Sequence, residues 1–202
     1  AVSGRLPLPG NRIAVAQDRA FTFLYPHLAR AWREQGATLV PFSPLADEGP
    51  DQTSDACWLP GGYPELHAGT LASATNFKAK LASFAQSRPV HGECGGYMVL
   101  GEGLVDGDGT RYAMAGLLSH ATSFADRKLH LGYRQAELLE PSVLGDVGMT
   151  VRGHEFHYAQ VIESGHDAPL ASLADGEGQP MGSAGGRRGT VTGSFFHAIA
   201  AA

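Results

Sequence analysis

Residues 92–96 (GECGG) carry the strongest chemical signal in the sequence. A cysteine flanked by glycines, between a predicted strand and a predicted helix, fits the nucleophile elbow G-x-nucleophile-x-G. The glycines are required because a Cβ at either flank would collide with neighbouring backbone in so tight a turn. A helix N-terminus favours thiolate, and the N–H of Gly95 is predicted to donate to an oxyanion. The spacing therefore predicts that Cys94 is a nucleophile.

A second glycine-containing turn precedes the cysteine along the chain. Residues 59–65 (LPGGYPE) follow a predicted strand and are bounded by prolines. Two consecutive glycines allow the backbone to direct N–H groups into a cleft. Taken alone, Pro-Gly-Gly is more often an ordinary turn. Because it is paired with the cysteine elbow, we predict that the N–H of Gly62 is the second oxyanion donor.

A cysteine nucleophile needs a base, and the chain has nine histidines. His197 follows a strand-like run near the end of the sequence, where it can reach a nucleophile at the same sheet edge. Residues 154–157 (HEFH) form a rival cluster, and in a strand its two histidines face opposite sides. The cluster lacks the HExxH spacing of zinc proteases. Spacing alone leaves both His197 and His157 open as the base.

The two cysteines differ in their surroundings. Cys57 lies within an apolar predicted strand and is predicted to be a core residue. Neither cysteine belongs to a CxxC pair, so no structural zinc site is predicted. The sequence shows no secretory features, so no disulfide is predicted either.

Composition limits the classes of function. The chain has 202 residues, 43% hydrophobic and 17% charged, which is typical of a globular α/β domain. A net charge of −5 without a basic cluster argues against a nucleic-acid partner. No apolar run reaches the roughly 18 residues of a membrane span, and no signal peptide is visible. We therefore expect a cytoplasmic protein without a membrane partner.

The chain divides into two parts. Residues 1–11 are rich in proline and glycine and are predicted to be the remnant of an interdomain linker. Residues 12–202 are predicted to form one domain, so that the chain is a piece of a longer polypeptide. Apolar spacing predicts a helix through residues 24–32, closed by Gly36, and a later helix capped by Asn76.

Strands and helices alternate up to about residue 101, which predicts a mainly parallel sheet with helices on both faces. The second half differs, since its strands follow one another and predict antiparallel additions. The segment 175–189 is glycine-rich and is predicted to be a loop or hairpin. The predicted strands cover residues 12–16, 38–42, 56–59, 89–93, 129–134, 150–158 and 190–196, the last running into His197.

Together the motifs are similar to those of a known family. The segment GHEFHY and the pattern Ala20-Phe21-x-Phe23 are the most specific of them. On these residues the chain resembles the C-terminal glutaminase domains of the a,c-diamide synthases that act on cobyrinic or hydrogenobyrinic acid in cobalamin biosynthesis. The matching segments are residues 14–26 (AVAQDRAFTFLYP), 41–45 (PFSPL), 59–65, 93–96 (ECGG), 131–134 (LGYR) and 153–158 (GHEFHY).

The resemblance implies a class I glutamine amidotransferase with a flavodoxin-like fold. It implies that Cys94 is the nucleophile and His197 the base. Relatives of this class often carry a glutamate two residues after the histidine, where this chain has Ile199. The group that orients the imidazole is therefore open, with Glu155 as a candidate.

The resemblance also implies a reaction. Glutamine is hydrolysed through a cysteine thioester, and the ammonia amidates the a and c acetate side chains of the corrin ring. ATP and Mg²⁺ are expected in an N-terminal synthetase domain, the partner that also binds most of the corrinoid. No P-loop is present here, so no cofactor or metal is expected in this domain. Tyr63, Glu65 and Arg134 are candidates for the glutamine pocket.

Other functions remain open from the sequence. The chain could serve cobyric acid synthase or a peptidoglycan-precursor amidase, because the elbow occurs in several related branches. A cysteine hydrolase or a redox-sensing protein could use the same elbow, although neither needs the glycine turn at Gly62. A catalytically silent module that binds the corrinoid or a partner domain is a further alternative.

Overall fold

The computed structural model describes residues 4–202, so the predicted linker remnant lies partly outside the described residues. The part that is described packs on the domain, with Leu6 buried in the core. Within residues 4–202 the α-helices are α1 (Pro26–Glu34), α2 (Ala68–Ser73), α3 (Thr75–Ala85) and α4 (Gly95–Leu100). The strands are β1 (Arg12–Ala16), β2 (Thr38–Phe42), β3 (Ala56–Leu59), β4 (Val90–Glu93), β5 (Gly103–Val105), β6 (Arg111–Ala113), β7 (Ala121–Ser123), β8 (His130–Leu138), β9 (Thr150–His157), β10 (Gln160–Glu163), β11 (Ala171–Asp175), β12 (Pro180–Ala184), β13 (Gly186–Arg188), β14 (Val191–Ser194) and β15 (His197–Ala201).

The central sheet has six strands in the order β13-β14-β4-β3-β1-β2. All neighbours are parallel except the edge pair β13 and β14. The predicted mainly parallel sheet is therefore confirmed. Because the strands are parallel, the carboxyl ends of β3, β4 and β14 lie at one edge, where side chains from distant parts of the sequence meet.

The two faces of this sheet bury different side chains, since successive residues of a strand point to opposite sides. Ala14 and Cys57 belong to the core on the side of α2, α3 and α4, so the predicted burial of Cys57 is confirmed. Ile13 and Trp58 belong to the opposite core. There Trp58 packs edge-to-face against Trp32 of α1, with ring centroids 5.0 Å apart.

Two further sheets complete the fold, and the antiparallel additions predicted for the second half are confirmed for the first of them, whereas the second contains the parallel pair β5 and β7. A five-stranded sheet, β12-β11-β8-β9-β15, covers the Trp58 face together with α1. A four-stranded sheet, β10-β7-β5-β6, adds Leu104 and Phe124 to the opposite core. The prediction of helices on both faces is therefore incomplete, because one face is covered largely by a second sheet.

The helix ends test the predicted caps. Gly36 has φ +94° directly after the C-cap Gln35, which confirms the predicted helix end. Asn76 is not a cap, because α3 begins at Thr75. Its Nδ2 donates instead to the Asp47 carbonyl at 2.7 Å, and Oδ1 of Asp47 accepts from the Phe77 N–H at 2.8 Å. This helix N-terminus is stabilised from an earlier loop.

The last predicted strand is shorter than expected. It ends at Ser194, and the chain then passes from the central sheet to the five-stranded sheet, which it enters as β15 at His197. The glycine-rich segment 175–189 contains β12 and β13, so the predicted hairpin is present as the β11–β12 pair. The passage between sheets is what carries His197 to the edge where β4 ends.

Among residues 4–202, no helix combines the length and the apolar content that crossing a bilayer requires.

The close packing of α4 on β3 gives a stability prediction. A Cβ on Gly96 would lie 2.0 Å from the Leu59 carbonyl oxygen, so backbone would have to move. We expect Gly96→Ala to lower the free energy of unfolding by about 2 kcal/mol, measured by urea denaturation. Gly69→Ala, in α2 with ordinary contact distances, is the matched control and is expected to be neutral or slightly stabilising. Equal denaturation midpoints for Gly96→Ala and the native protein would contradict this account.

Candidate active site

The turn at Cys94 has the strained geometry of a nucleophile elbow. Cys94 has φ 46° and ψ −104°, and it is one of two non-glycine residues with positive φ in the described chain. Such a conformation costs on the order of 1–3 kcal/mol and persists only when its surroundings hold it. The Cys94 N–H donates to the Ser194 carbonyl at 2.8 Å, and a Cβ on Gly92 would lie 2.7 Å from the carbonyl carbon of Gly96. The flanking glycines are therefore required, as the sequence predicted.

One glycine of the preceding turn lies beside both predicted catalytic residues. A Cβ placed on Gly61 would lie 2.6 Å from Cε1 of His197, 3.5 Å from its Nε2 and 3.5 Å from the Cβ of Cys94. Three segments that are far apart in sequence therefore meet at one point. The imidazole of His197 is almost fully buried there, with 3% exposure.

The rival histidine lies elsewhere. His157 donates from Nδ1 to the Ala159 carbonyl at 2.9 Å. Its ring stacks on those of His130 and Phe195, with centroids 4.7 Å and 3.9 Å away. The structure thus places His197 against the glycine turn and packs His157 among other rings.

The predicted oxyanion donors are adjacent. A Cβ on Gly95 would lie 2.9 Å from the nitrogen of Gly62. The N–H of Gly62 makes no backbone hydrogen bond within residues 4–202, so this donor is available to a ligand. Gly62 must be glycine, since a Cβ there would lie 2.0 Å from the Ala20 carbonyl oxygen.

The segment around Ala20 holds the glycine turn in place. The N–H groups of Thr22 and Phe23 both donate to the Gly61 carbonyl at 3.0 Å. In return, the N–H of Tyr63 donates to the Ala20 carbonyl at 3.1 Å. The motif Ala20-Phe21-x-Phe23 is therefore a scaffold for the turn that carries the oxyanion donor.

A carboxylate that the sequence analysis missed faces His197. Oε2 of Glu93 lies 3.9 Å from Nδ1 of His197, and Oε1 accepts from the N–H of Ala198 at 2.8 Å. Nδ1 is buried and has no hydrogen-bond partner among the described residues. Oε2 of the predicted candidate, Glu155, instead accepts a hydrogen bond from Nε of Arg134 at 2.7 Å. The group placed to orient the imidazole is therefore Glu93 rather than Glu155.

Two further residues, Tyr25 and His154, lie next to the imidazole of His197. The hydroxyl of Tyr25 lies 2.5 Å from Nε2 of His154, whose ring stacks on that of His197 with centroids 5.0 Å apart. The sequence placed His154 in the cluster 154–157 and Tyr25 in a matching segment, but it gave no sign of their contact, because residues so far apart in the chain leave no local signal of it. Glu93 did leave one, since it is a charged residue in a buried strand next to the nucleophile.

Burial dominates the protonation of the site. It raises the pKa of the Cys94 thiol to about 12, against a smaller lowering by the N–H of Gly95. Burial lowers the pKa of His197 to about 3, with further lowering by His154 and His157. Both groups are therefore neutral at rest. The stabilisation of thiolate predicted for a helix N-terminus is outweighed here by the burial of the thiol.

The resting thiol is held weakly. The thiol of Cys94 donates to the Phe156 carbonyl, with 3.9 Å between Sγ and oxygen. Because the thiol is neutral, a thiolate has to be formed by proton transfer during the reaction. His197 lies beside the same glycine as Cys94, which keeps it a candidate for that proton, and contacts of this kind tighten when substrate binds.

The candidate pocket residues have separate environments. Tyr63 is exposed and packs edge-to-face with Phe23, with centroids 5.3 Å apart. Arg134 is engaged by Glu155, whereas Glu65 lines a cavity beside the glycine turn. Within the described chain, no three His, Cys, Asp or Glu side chains are grouped so as to hold a metal ion.

Comparisons with known proteins identify the family of this chain. Residues 12–202 match the family model of the CobB/CobQ-like glutamine amidotransferase domain. The chain is 64% identical over 200 residues to the hydrogenobyrinate a,c-diamide synthase of Agrobacterium fabrum, which covers 99% of this chain and 46% of that protein. It is 58% identical over 192 residues to the enzyme of the same name from Rhodobacter capsulatus, and the match covers 95% of this chain and 44% of that protein. The chain spans less than half the length of these curated relatives.

Solved structures share the fold. A crystal structure of a glutamine amidotransferase matches with TM-score 0.60 and 19% identity, over 92% of this chain and 89% of that one. The crystal structure of a glutamine amidotransferase from Thermotoga maritima matches with TM-score 0.56 and 15% identity, over 92% and 75%. The fold is that of the class I glutamine amidotransferases, and the chain belongs to the CobB/CobQ-like glutamine amidotransferase family.

Proposed function

We propose that this chain is the glutaminase part of a hydrogenobyrinate a,c-diamide synthase. It hydrolyses glutamine to glutamate and ammonia through a thioester on Cys94. The observation that carries the proposal is the convergence at Gly61, where an added Cβ would lie within 3.5 Å of both Cys94 and His197, beside the N–H groups of Gly62 and Gly95. The names of relatives that are 64% and 58% identical support the choice of pathway.

The first half of the reaction forms the thioester. Nε2 of His197 takes the thiol proton, and Sγ of Cys94 attacks the side-chain carboxamide carbon of glutamine. The oxyanion accepts hydrogen bonds from the N–H groups of Gly62 and Gly95. Loss of one such donor costs on the order of 3 kcal/mol of transition-state stabilisation. Glu93, when ionised, stabilises the imidazolium through Nδ1.

The second half releases the products. The imidazolium of His197 gives its proton to the departing nitrogen as the tetrahedral intermediate collapses, so ammonia leaves and the acyl group stays on Cys94. Water then gives a proton to His197 and adds to the thioester. Collapse of this second intermediate returns the proton to Sγ and frees glutamate.

The ammonia serves a partner region of the full-length polypeptide. We propose that this synthetase region binds ATP, Mg²⁺ and the corrinoid, and that ammonia amidates the activated a and c acetates. Support comes from exposed apolar side chains near the cysteine. Leu131 of β8 is paired with Phe156 of β9, both are exposed, and the carbonyl of Phe156 contacts Cys94. A covering region would shield both these side chains and the ammonia from water.

The nucleophile is tested in the native full-length polypeptide. We expect Cys94→Ser to lower glutamine-dependent amidation by at least roughly 10³-fold, because serine is a far weaker nucleophile without a matched base. Amidation supplied with ammonia should persist. Cys57→Ala, a core change, is the control and should retain glutamine use. Near-normal turnover with glutamine in Cys94→Ser would refute the assignment.

The base is tested by comparing two histidines. We expect His197→Asn to lower kcat for glutamine hydrolysis by roughly 10³-fold or more, since the neutral thiol then has no proton acceptor. His157→Asn should have a small effect, because its imidazole is engaged with Ala159. Steady-state glutaminase assays measure both. The opposite order of effects would show that His157 is the base.

The role of Glu93 is tested by the substitution Glu93→Gln, which replaces the carboxyl group by an amide. Burial raises the pKa of Glu93 to about 8, so activity should rise with pH as this group ionises. In Glu93→Gln the amide donates to Nδ1 and fixes the wrong tautomer of His197, so kcat should fall by roughly 10²- to 10⁴-fold. The rise with pH should also disappear. A variant with native kcat and pH profile would exclude this role.

Glu93→Gln is expected to lower activity but to raise stability at high pH. Because the pKa of Glu93 is raised on folding, its contribution to stability is fully present below its ordinary pKa and is lost as pH rises through about 8. The side chain of the Glu93→Gln variant does not ionise, so the variant avoids this loss. Thermal unfolding of Glu93→Gln should therefore match the native protein near about pH 4 and exceed it by several degrees near about pH 9. A pH-independent difference in melting temperature would contradict the linkage.

A further inference from the structure

The imidazole of His197 belongs to a group of three rings that the proposed mechanism does not yet use. His154 pairs with His197 across β9 and β15, and their rings are nearly parallel, with 12° between the planes and centroids 5.0 Å apart. The ring of Tyr25 stands almost perpendicular to both, at 77° to His154 and 80° to His197, with centroids 5.8 Å and 5.9 Å away. Two segments that are distant in the sequence therefore fix the plane of the His197 imidazole.

The hydroxyl of Tyr25 holds His154 in turn, since it lies 2.5 Å from Nε2 of that ring. Burial, followed by the nearby acidic groups of Glu93 and Cys94, raises the pKa of Tyr25 to about 12, so the phenol keeps its proton near neutral pH. The hydroxyl donates that proton to Nε2, and this bond favours the neutral form of His154. Burial also lowers the pKa of His154, against a smaller rise from hydrogen bonding with the backbone of Glu155.

The other polar groups around His154 do not stabilise a charge on its ring. Tyr133 faces it from β8 as its cross-strand partner and is exposed. Arg134 and Glu155, the next residues along the two strands, point to the opposite face of the sheet and pair with each other at 2.7 Å. His27 of α1 packs against the phenol, with ring centroids 5.8 Å apart. Within the described chain His154 forms no ion pair with a carboxylate.

We infer that His154 and Tyr25 are positioning residues for the base. This inference rests on the proposed glutaminase function. The ring of His154 holds the plane of the His197 imidazole, so that Nε2 stays towards the glycine turn and Nδ1 towards Glu93. Because it is neutral, it also presents an uncharged aromatic face to the imidazolium when that forms. Tyr25 acts through His154, which its hydroxyl keeps neutral.

A protonated His154 has the reverse effect on the base. Two imidazolium rings with centroids 5.0 Å apart repel each other, so a charge on His154 opposes proton transfer from Cys94 to His197. The Tyr25 hydroxyl lowers the pKa of His154, and its removal raises that pKa. The added inhibition is therefore complete at a pH below the pKa of His154 in both proteins and disappears above it. A hydroxyl with only a structural role would change kcat by the same factor at every pH.

The stacked ring is tested in the native full-length polypeptide by two replacements. We expect His154→Leu, which has no flat ring, to lower kcat for glutamine hydrolysis roughly 10- to 100-fold with KM changing less, because a misplaced base costs transition-state stabilisation. His154→Phe retains a flat ring and should keep kcat within roughly threefold of the native value. His130→Leu, which removes a ring stacked on His157 in the same sheet, is the control and should match the native protein.

Two outcomes of this comparison would overturn the inference. One is native kcat in His154→Leu, and the other is a His154→Phe variant that is as slow as His154→Leu. Melting temperatures and amidation supplied with ammonia show which variants are folded. Should His154→Leu not fold, the pH dependence of Tyr25→Phe decides the question, because that variant keeps both rings.

The hydroxyl is tested by Tyr25→Phe over a range of pH. The ratio of native to variant kcat should be near unity at about pH 8.5 and rise to roughly 3- to 10-fold at about pH 5.5, and the ionisation of Glu93 cancels in this ratio. In the His154→Phe background the same substitution should give a ratio that does not change with pH, because no imidazole remains to titrate at that position. Tyr112→Phe, which removes a hydroxyl on β6, should match the native protein throughout.

The outcomes separate this inference from the proposed function. A ratio that is independent of pH, or a rise at low pH that persists without His154, would overturn the inference while the native enzyme remains an active glutaminase. Native full-length polypeptide that releases no glutamate from glutamine would instead refute the glutaminase function, and this inference with it.

Discussion

The site depends on the absence of a single carbon atom at Gly61. With any side chain at this position the imidazole of His197 and the cysteine elbow could not both approach the turn, since the added atom would lie 2.6 Å from the ring. A neighbouring glycine is required because of backbone: a Cβ on Gly62 would collide with the Ala20 carbonyl group. Close backbone packing therefore sets the positions of Cys94, His197 and the N–H groups of Gly62 and Gly95 before any ligand is bound, which is the preorganisation that the proposed catalysis requires.

Burial of ionisable groups is the second constraint. Cys94, His197 and Glu93 are each at most 5% exposed, and burial favours the neutral form of all three. The resting site is therefore uncharged, and charge separation between sulfur and imidazole occurs only as the reaction proceeds. A buried carboxyl beside the imidazole costs stability at high pH and stabilises the imidazolium when it forms. Stability and activity are consequently opposed at Glu93.

Local spacing was enough to predict the elbow, the glycine turn, the end of the first helix at Gly36 and the mainly parallel sheet, because each follows from short-range backbone geometry. It could not predict which carboxylate meets the imidazole. Strand alternation assigns Glu93 to a face, but what covers that face depends on how the second sheet docks. Spacing left His197 and His157 open for the same reason, since the position of His197 depends on a passage between sheets after Ser194. Asn76 was wrongly predicted as a cap, because Asp47, which is far away in sequence, accepts the hydrogen bond from the Phe77 N–H at this helix end.

Cys94 and His197 also belong to different layers of the molecule. Cys94 ends a strand of the parallel sheet, whereas His197 opens a strand of the antiparallel one. Sliding one layer against the other by a fraction of an ångström would alter the sulfur-to-imidazole distance while every ladder of strand hydrogen bonds stayed intact. The bond from the Ala198 N–H to Glu93 crosses between the layers and resists such slippage. Glu93, the carboxyl group that faces His197, therefore also links the two sheets.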